Sequence, residues 1–236
     1  MIDAHTHILP RMDDGARSSE QSLAMLRAEA SQGVDTVVLT PHFYAAKEDL
    51  SAFLARRAAS YARLCEVIAQ QPDREAFPKL LLGAEVAWYP SLSQNEHLDR
   101  LCLEGTNLLL VEPPMARWDT SFVAQMYDLI GCRGVMPMIA HIDRYFSGQK
   151  PENLRAIFAL GAPIQISAAS LTWFWTRKKA LQCINDGAAT VLISDCHDME
   201  KRATNLASAR EVIARKLGAD VVAHMDHTVE RLLHAE

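Results

Sequence analysis

Two histidines alternate along a predicted strand at the start of the chain, in the segment Asp3-Ala4-His5-Thr6-His7. Side chains in a strand repeat every two residues, so His5 and His7 point the same way. Imidazole is the commonest protein ligand for divalent transition metals. Alone, such a pair also fits two surface histidines in a loop. It becomes informative because further ligand-type residues follow at the ends of other predicted strands.

Potential metal ligands recur at the ends of six predicted strands. In chain order they are His5 with His7, His42, Glu85, Glu112, His141, and Asp195 with His197. Any single one is better explained as a helix cap or a satisfied polar side chain. Six strands that agree favour one metal site, because the carboxyl ends of parallel strands converge. Histidine and carboxylate without thiolate favour manganese, iron or zinc, and bridging carboxylates allow several ions to lie close together.

Cys196 and Arg202 have the C-x5-R spacing that cysteine-dependent phosphatases use. That chemistry needs a loop of small residues whose backbone N–H groups bind phosphate, and a thiolate in a positive setting. Here two acids and several bulky side chains stand between the two residues, and Asp195 precedes the cysteine. We therefore interpret the spacing as accidental.

Short apolar runs alternate with longer helical patterns along the chain. Predicted strands are Met1–His5, Val34–Thr40, Leu80–Glu85, Asn107–Glu112, Val135–His141, Pro163–Ser167 and Thr190–Asp195. Predicted helices are Ser19–Gln32, capped by Ser18 or Ser19, Ala52–Gln70, Phe122–Gly131, Pro151–Leu160, Trp173–Asp186 and Asn205–Leu217. Seven strand–helix units predict an α/β fold, a distorted TIM-like (β/α)7 barrel. The alternative is a doubly wound open sheet, which favours a glycine-rich first turn where this chain has His-Thr-His.

Composition indicates a globular protein whose main partner is not nucleic acid. Of the 236 residues, 49% are hydrophobic and 22% are charged, and the net charge is −5. No window has the apolar length of a membrane span and no signal peptide is recognisable, so we expect no membrane insertion. The five cysteines contain no C-x-x-C, which predicts reduced core residues of a cytoplasmic protein. No linker or repeat divides residues 1–236, so one domain is predicted.

The motifs taken together resemble the PHP superfamily, named for polymerase and histidinol phosphatase. The matching segments are Ile2-Asp3-Ala4-His5-Thr6-His7-Ile8, Asp13-Asp14-Gly15, Gly33-Val34, Thr40-Pro41-His42, Gly83-Ala84-Glu85, Glu112, Ala140-His141-Ile142-Asp143-Arg144-Tyr145 and Ser194-Asp195-Cys196-His197. They are similar to one branch in particular, the bacterial manganese-dependent protein-tyrosine phosphatases of capsule and exopolysaccharide operons. Asp143 replaces the more usual glutamate, and the loop after His42 is less basic than in some relatives.

This resemblance implies the PHP fold and a trinuclear site for divalent ions, manganese first, with iron or zinc as options. The implied ligand sets are His5, His7, Glu85 and Asp195 for the first ion, Glu85, Glu112 and His141 for the second, and Asp14, His42 and His197 for the third. Arg144 matches a phosphate-binding arginine of the family, and Arg202 matches a second basic position after the seventh predicted strand; both are expected to hold phosphoryl oxygens. His42 or His197 is an option for a general acid.

The same resemblance implies hydrolysis of phosphotyrosine by a metal-activated water. The implied partner is the tyrosine-rich tail of a bacterial tyrosine kinase that controls polysaccharide export. Two alternatives stay open. One is a PHP phosphoesterase acting on a small phosphate monoester such as histidinol phosphate. The other is a non-enzymatic metal-binding regulator of a polysaccharide assembly complex. Trp173-Phe174-Trp175, after the sixth predicted strand, is the best candidate for contact with a substrate ring.

Overall fold

The computed structural model describes residues 1–234. Its strands are β1 (Ile2–Thr6), β2 (Thr36–Leu39), β3 (His42–Phe43), β4 (Lys79–Leu82), β5 (Glu85–Ala87), β6 (Leu108–Glu112), β7 (Met136–Ile139), β8 (Gln165–Ser167) and β9 (Val191–Ile193). Its α-helices are α1 (Ser19–Ser31), α2 (Leu50–Ala69), α3 (Thr120–Arg133), α4 (Pro151–Phe158), α5 (Ala168–Thr172), α6 (Phe174–Asn185), α7 (Leu206–Leu217) and α8 (Ala219–Leu233). Each predicted strand region contains a strand and each predicted helix region contains a helix.

The paired strands within residues 1–234 run parallel and form three sheets, in the orders β1-β2-β4, β3-β5-β6-β7 and β8-β9. Isolated parallel bridges join Thr6 to Cys196 and Ile139 to Ile164, and so connect neighbouring sheets. The predicted parallel α/β class is confirmed. The hydrogen-bonded strands do not form one closed sheet over the described residues, and the closed barrel stays a prediction.

Two strands stop just before a candidate ligand, and a new short strand begins at the ligand itself. Between β2 and β3 lies Pro41, which has no N–H for the ladder, and β3 begins at His42. Between β4 and β5 lies Gly83, where a Cβ atom would stand 2.6 Å from the Leu103 side chain. The prediction of one continuous strand over Leu80–Glu85 was wrong at Gly83. The interruptions give His42 and Glu85 the first positions of two new, directly paired strands.

Side-chain caps set where the helices begin. The Ser18 hydroxyl accepts a hydrogen bond from the Gln21 N–H at 3.3 Å, which confirms the predicted cap of α1. The Asp49 carboxylate accepts from the Ala52 N–H at 3.0 Å, so α2 begins two residues before the predicted start. The Asp119 carboxylate accepts from two backbone N–H groups at the start of α3. Such caps satisfy amide groups that have no partner inside the helix.

Helix α8 was not predicted, although Met225, Val229 and Leu233 recur at four-residue spacing and are buried. Val229 and Leu233 belong to a buried apolar cluster that also takes side chains from strands of all three sheets. The other buried members are Ile2, Ala4, Val38, Leu81, Leu103, Leu108, Leu110, Met138, Ala140, Val191 and Ile193. A larger cluster joins the helices to the sheets. Among residues 1–234, every helix is too short or too polar to cross a bilayer.

Candidate metal centre

All nine predicted ligands lie close together, on or beside the strands of the three sheets. His5 lies on β1 and His7 follows it, His42 begins β3, Glu85 begins β5, Glu112 ends β6, His141 follows β7, Asp195 and His197 follow β9, and Asp14 lies in the loop between β1 and α1. Eight of them are buried or partly buried, and Asp14 is the exposed one. Parallel strands bring their carboxyl ends to one edge, so residues far apart in sequence meet there.

Glu85 is at the centre of this group. Its Oε2 atom lies 3.2 Å from His5 Nε2 and 3.2 Å from His7 Nε2. The same oxygen lies 3.0 Å from His42 Nδ1, and Oε1 lies 2.7 Å from His141 Nε2. One carboxylate therefore faces four imidazoles, which is the position a bridging ligand requires.

The ligand atoms fall into three overlapping groups, each with its members within 4.8 Å of one another. The groups are His5, His7 and Asp195, then His7, Asp14, His42 and His197, and then His42, Glu85 and Glu112. They overlap the three ligand sets that the resemblance implies but do not coincide with them. Glu85 is absent from the first group, and His7 joins Asp14, His42 and His197. In the third group His42 takes the place of His141, whose Nε2 is 3.9 Å from Glu112 Oε1.

Several of these atoms are buried polar atoms that lack a hydrogen-bond partner among residues 1–234. They are His42 Nδ1, Glu85 Oε2, His141 Nδ1, Asp195 Oδ1 and His197 Nε2. Buried polar atoms almost always have partners, so a concentration of exceptions needs a cause. Imidazole nitrogens and carboxylate oxygens that converge without hydrogen-bonding geometry fit divalent cations. This donor set therefore passes the test for a metal site.

The rings of two histidines are held by side chains that were not among the predicted site residues. His7 Nδ1 lies 2.7 Å from Asp13 Oδ2, and His5 Nδ1 lies 2.8 Å from Gln165 Oε1. Asp13 also accepts hydrogen bonds from the backbone N–H groups of Gly15, at 3.0 Å, and His42, at 2.9 Å. Such contacts fix the ring tautomer so that the other nitrogen, Nε2, faces the metal site.

Steric contact explains why the Asp13-Asp14-Gly15 motif ends in glycine. A Cβ atom at Gly15 would lie 2.0 Å from the carbonyl oxygen of His7. The same oxygen accepts a hydrogen bond from the Ala16 N–H at 3.0 Å. The loop therefore packs directly on the ligand strand, and only glycine permits the close approach.

Arg144 and Arg202 both contact the candidate ligand Asp195. Its Oδ2 atom accepts a hydrogen bond from Arg144 and one from Arg202, the latter at 2.9 Å. Arg202 also approaches Asp14 Oδ2 at 3.5 Å. Arg144 thus pairs with Asp195 and not with Asp143, whose carboxylate instead accepts from the Ser167 N–H at 2.8 Å. Both guanidinium groups are partly exposed beside the ligand cluster, and Asp195 holds them there.

The electrostatic field of the cluster sets the protonation of several ligands. Burial alone would lower the pKa of His7, but the Asp13 carboxylate raises it to about 10. Burial alone would raise the pKa of Glu85, yet His5 and His141 hold it well below its ordinary value. Burial together with His7 lowers the pKa of His197 to about 3. Glu85 and His197 therefore have the deprotonated form that binds cations, and His7 must release a proton to do so.

This chain is similar to known proteins over nearly its whole length. The family described as capsular polysaccharide synthesis, CpsB/CapC, matches residues 1–231. The chain belongs to the CpsB/CapC family. The predicted resemblance to the capsule-operon branch of the PHP superfamily is thereby confirmed.

Curated CpsB/CapC relatives span nearly the whole chain. The tyrosine-protein phosphatase YwqE of Bacillus subtilis is 28% identical over 99% of this chain and 91% of its own length. The tyrosine-protein phosphatase CpsB of Streptococcus pneumoniae is 27% identical over 93% of this chain and 92% of its own length. A solved structure from work on YwqE and CpsB, described as unique metal-dependent tyrosine phosphatases, superposes with a TM-score of 0.85 at 27% identity. That match covers 100% of this chain and 95% of the other.

The surroundings of Cys196 in this CpsB/CapC chain do not suit a nucleophilic thiolate. The residue is 1% exposed, and burial, with Glu29 and Asp3 nearby, raises the pKa of its thiol well above the ordinary value. In the loop that follows, several backbone N–H groups already donate to acceptors within the loop and are not free to bind phosphate. The Asp198 carboxylate accepts from the N–H groups of Glu200 and Arg202, and the His197 N–H donates to the Arg202 carbonyl. The interpretation of C-x5-R as accidental agrees with this geometry.

Proposed function

We propose that this chain is a metal-dependent protein-tyrosine phosphatase. The observation that carries the proposal is the convergence of nine candidate nitrogen and oxygen ligands, eight of them buried or partly buried, with Glu85 at the centre and two arginines beside them. Membership of the CpsB/CapC family and relatives named tyrosine-protein phosphatases support the substrate class.

We propose three divalent ions, manganese in preference to iron or zinc, held by the ligand sets that the resemblance implies. The three overlapping groups of ligand atoms and the orphaned buried atoms support this number. When bound in such a site, divalent ions lower the pKa of water and offset the negative charge of a phosphoryl group. Absence of any thiolate from the groups favours a hard or borderline metal.

The remaining residues of the site are proposed to bind and orient the phosphoryl group. Arg144 and Arg202 are partly exposed, and each shares Asp195 with the ligand cluster, so substrate oxygens can compete for their free N–H donors. Guanidinium groups suit phosphate because their planar donors match its oxygens in pairs. Each ring nitrogen of His42 faces a ligand carboxylate, Nδ1 toward Glu85 and Nε2 toward Asp14 at 3.6 Å. That geometry favours His42 as a ligand over His42 as the general acid.

Two cavities meet at Asp14 and give substrate a route to the centre. One, of about 410 Å³, is lined by Met12, Asp13, Asp14, His42, Tyr44, Lys47, Glu48 and Arg56. The other, of about 350 Å³, includes Asp14, His197 and Lys201. The Tyr44 ring lies 5.2 Å from the His42 ring, and Lys47 Nζ lies 4.1 Å from the Tyr44 ring centroid. The first cavity thus offers an aromatic wall and a cation beside the ligands, which suits a phosphorylated phenyl ring.

We also propose that the three sheets together form the distorted (β/α)7 barrel of one domain. The bridges at Thr6 and Ile139 support closure between the sheets. The Gly83 N–H donates to the Leu39 carbonyl at 2.9 Å, and the Glu85 N–H donates to the Pro41 carbonyl at 3.1 Å, so pairing continues across the interruptions. A barrel mouth accommodates a side chain on a disordered peptide without a folded docking surface.

The proposed partner is the tyrosine-rich tail of a bacterial tyrosine kinase that regulates capsular or exopolysaccharide synthesis, encountered in the cytoplasm. The family description places its members in capsular polysaccharide synthesis. The five cysteines are free, which suits a reducing compartment.

Side-by-side kinetics test the substrate class. Manganese-loaded protein is assayed on a phosphotyrosine peptide, on a phosphoserine peptide of the same sequence, and on histidinol phosphate. We expect kcat/KM on phosphotyrosine to exceed both others by at least about tenfold, or about 1.4 kcal/mol of transition-state stabilisation. A phenolate leaves more easily than an alkoxide, and the longer rigid side chain reaches deeper into the cavity. Preference for histidinol phosphate would establish the small-substrate alternative, and no turnover of any of the three would establish the non-enzymatic one.

A further inference from the structure

Three consecutive aromatic side chains are exposed to solvent at the start of α6. Trp173, Phe174 and Trp175 are 68%, 76% and 84% exposed. Since each such side chain carries about 150–250 Å² of surface, the exposed aromatic area is on the order of 500 Å². Exposed apolar area of this size is at the level of the largest patch on a typical monomer, and such patches are often interaction sites.

The aromatic patch lies toward the same edge of the strands as the candidate metal centre. Helix α5, which precedes it, begins directly after β8, where the Ser167 N–H donates to Asp143 at 2.8 Å. At the other end of α5, the Thr172 hydroxyl lies 3.5 Å from Asn205 Nδ2, in the segment that follows Arg202. The Arg177 guanidinium donates to the carbonyls of Leu171 and Thr172 and so fixes the turn from α5 to α6.

The segment that contains the aromatic patch carries a net positive charge, although the whole chain is negatively charged. Residues 153–185 contain no aspartate or glutamate, but they include Arg155, Arg177, Lys178 and Lys179, whereas the whole chain has a net charge of −5. Lys178 and Lys179 are at least partly exposed. The partner that complements this surface is therefore both apolar and anionic.

We propose that the aromatic patch, with Lys178 and Lys179, is a peripheral docking surface for an anionic lipid bilayer. Tryptophan and phenylalanine beside lysine favour the interface of a bilayer, where rings enter the headgroup region and cations meet anionic headgroups. The opposite face of α6, with Ala180, Cys183 and Ile184, is buried in the protein. The helix therefore lies along the surface and does not enter the bilayer as a span.

The geometry favours a bilayer over a peptide or a second copy of the chain. Successive residues at the start of a helix point about 100° apart, so three rings spread over a wide arc and do not line one groove. A deformable lipid headgroup layer can contact all three rings at once, whereas an extended peptide contacts only the rings on one side of the helix. In a two-fold contact centred on this segment, Lys178 and Lys179 would lie close to their own equivalents, and residues 153–185 supply no acidic residue to offset them.

Vesicle binding tests the proposal without use of catalytic activity. The full chain is sedimented with phosphatidylcholine vesicles and with vesicles that also contain phosphatidylglycerol. Because Trp173 and Trp175 are two of only four tryptophans, their emission reports insertion directly, through a blue shift and quenching by brominated lipid. We expect binding to the anionic vesicles, weaker binding to the neutral ones, and both spectroscopic changes.

Three variants locate the binding surface. W173S/F174S/W175S should weaken binding to anionic vesicles more than about tenfold, and K178E/K179E should remove the preference for anionic lipid. The matched control M115S/Y127S removes two exposed apolar side chains elsewhere, 69% and 50% exposed, and should bind as the unaltered chain does. If the triple variant fails to fold by circular dichroism, the single variant Trp175→Ser, at the most exposed position, carries the same test.

Several outcomes would overturn the proposal. One is absence of binding to anionic vesicles, and another is binding that the triple variant leaves intact. A concentration-dependent dimer in sedimentation velocity that the triple variant abolishes would assign the patch to a second copy. A higher KM for a phosphotyrosine peptide in the triple variant, without vesicle binding by the unaltered chain, would assign it to the substrate. The vesicle result is independent of the proposed phosphatase activity.

Discussion

Asp13→Asn is expected to weaken the metal centre although Asp13 is not a proposed ligand. One buried carboxylate holds three parts of the site, through His7 Nδ1 at 2.7 Å and the backbone N–H groups of Gly15 and His42 at 3.0 and 2.9 Å. The amide that replaces it presents an N–H₂ group where donors now converge. Loss of a partner that orients a metal-binding histidine typically costs about 10–100-fold in metal affinity.

The same substitution should destabilise the metal-free fold. Hydrogen bonds to a charged group contribute about 1.5–3 kcal/mol each, and breaking a buried ion pair costs about 3–5 kcal/mol. Because the substituted side-chain amide keeps one acceptor oxygen, we expect a loss of about 3 kcal/mol in the free energy of unfolding. Urea unfolding of chelator-treated protein measures it. The matched control is Asp119→Asn, which alters a carboxylate that also accepts from two backbone N–H groups but lies at a helix cap away from the ligands.

The pH dependence of this loss follows from both members of the pair. His7 and the two backbone donors hold the pKa of Asp13 below its ordinary value, although burial opposes them. The contribution of Asp13 is therefore present above about pH 4 and is lost as pH falls. The pKa of His7 is raised to about 10, so its contribution is full below about pH 6.5 and is lost as pH rises through 10. The difference between the unaltered chain and Asp13→Asn should be greatest between about pH 4 and 6.5.

Metal analysis after dialysis against graded chelator buffers gives the affinity of each variant. Asp13→Asn should retain less metal than either the unaltered chain or Asp119→Asn at each chelator concentration. Unchanged metal affinity and unchanged stability in Asp13→Asn would refute the argument that this carboxylate organises the centre.

Three further substitutions separate ligands, nucleophile and phosphate-binding groups. Glu85→Ala should lose more metal than any other single ligand variant, because its two oxygens face four imidazoles, and metal analysis showing full occupancy would contradict the bridging role. Cys196→Ser should keep most of the phosphatase activity because the thiol is buried and its pKa is raised, and a near-complete loss with metal content unchanged would revive a cysteine mechanism. Arg144→Ala should lower kcat/KM on phosphotyrosine peptide with metal content intact, with Arg144→Lys as the conservative control, and loss of metal in proportion to activity would show that Arg144 acts only through Asp195.

The convergence of eight of the nine candidate ligands was predictable from the sequence, because strand ends in a parallel fold meet at one edge, as His5, Glu85 and His141 illustrate. Asp14 lies in a loop and entered the prediction only through the resemblance. That the nine residues bind metal stays a prediction. The supporting contacts were not predictable in the same way. Gln165 reaches His5 across 160 residues, and glutamine at the start of a strand carries no signal of its own. Asp13 could have been found, since it stands in the matched motif beside Asp14, but spacing does not reveal which of the two faces a histidine ring.

The boundaries of one strand and the last helix were not predicted from the local sequence pattern. The apolar run that ends at Glu85 predicts one continuous strand, and the interruption comes from tight packing of Gly83 on Leu103. Packing against a loop distant in sequence is not visible in a local window. Helix α8 was missed although its buried apolar residues Met225, Val229 and Leu233 recur at regular four-residue spacing.

Metal removal and return test the central claim most directly. The protein is stripped with chelator, and manganese is added back in measured equivalents while bound metal and phosphotyrosine hydrolysis are followed in the same sample. We predict no activity in stripped protein, recovery that rises with bound manganese, and saturation at three ions per chain. Full activity in protein shown to be free of metal would contradict the proposed function, and saturation at a single ion would contradict the trinuclear centre.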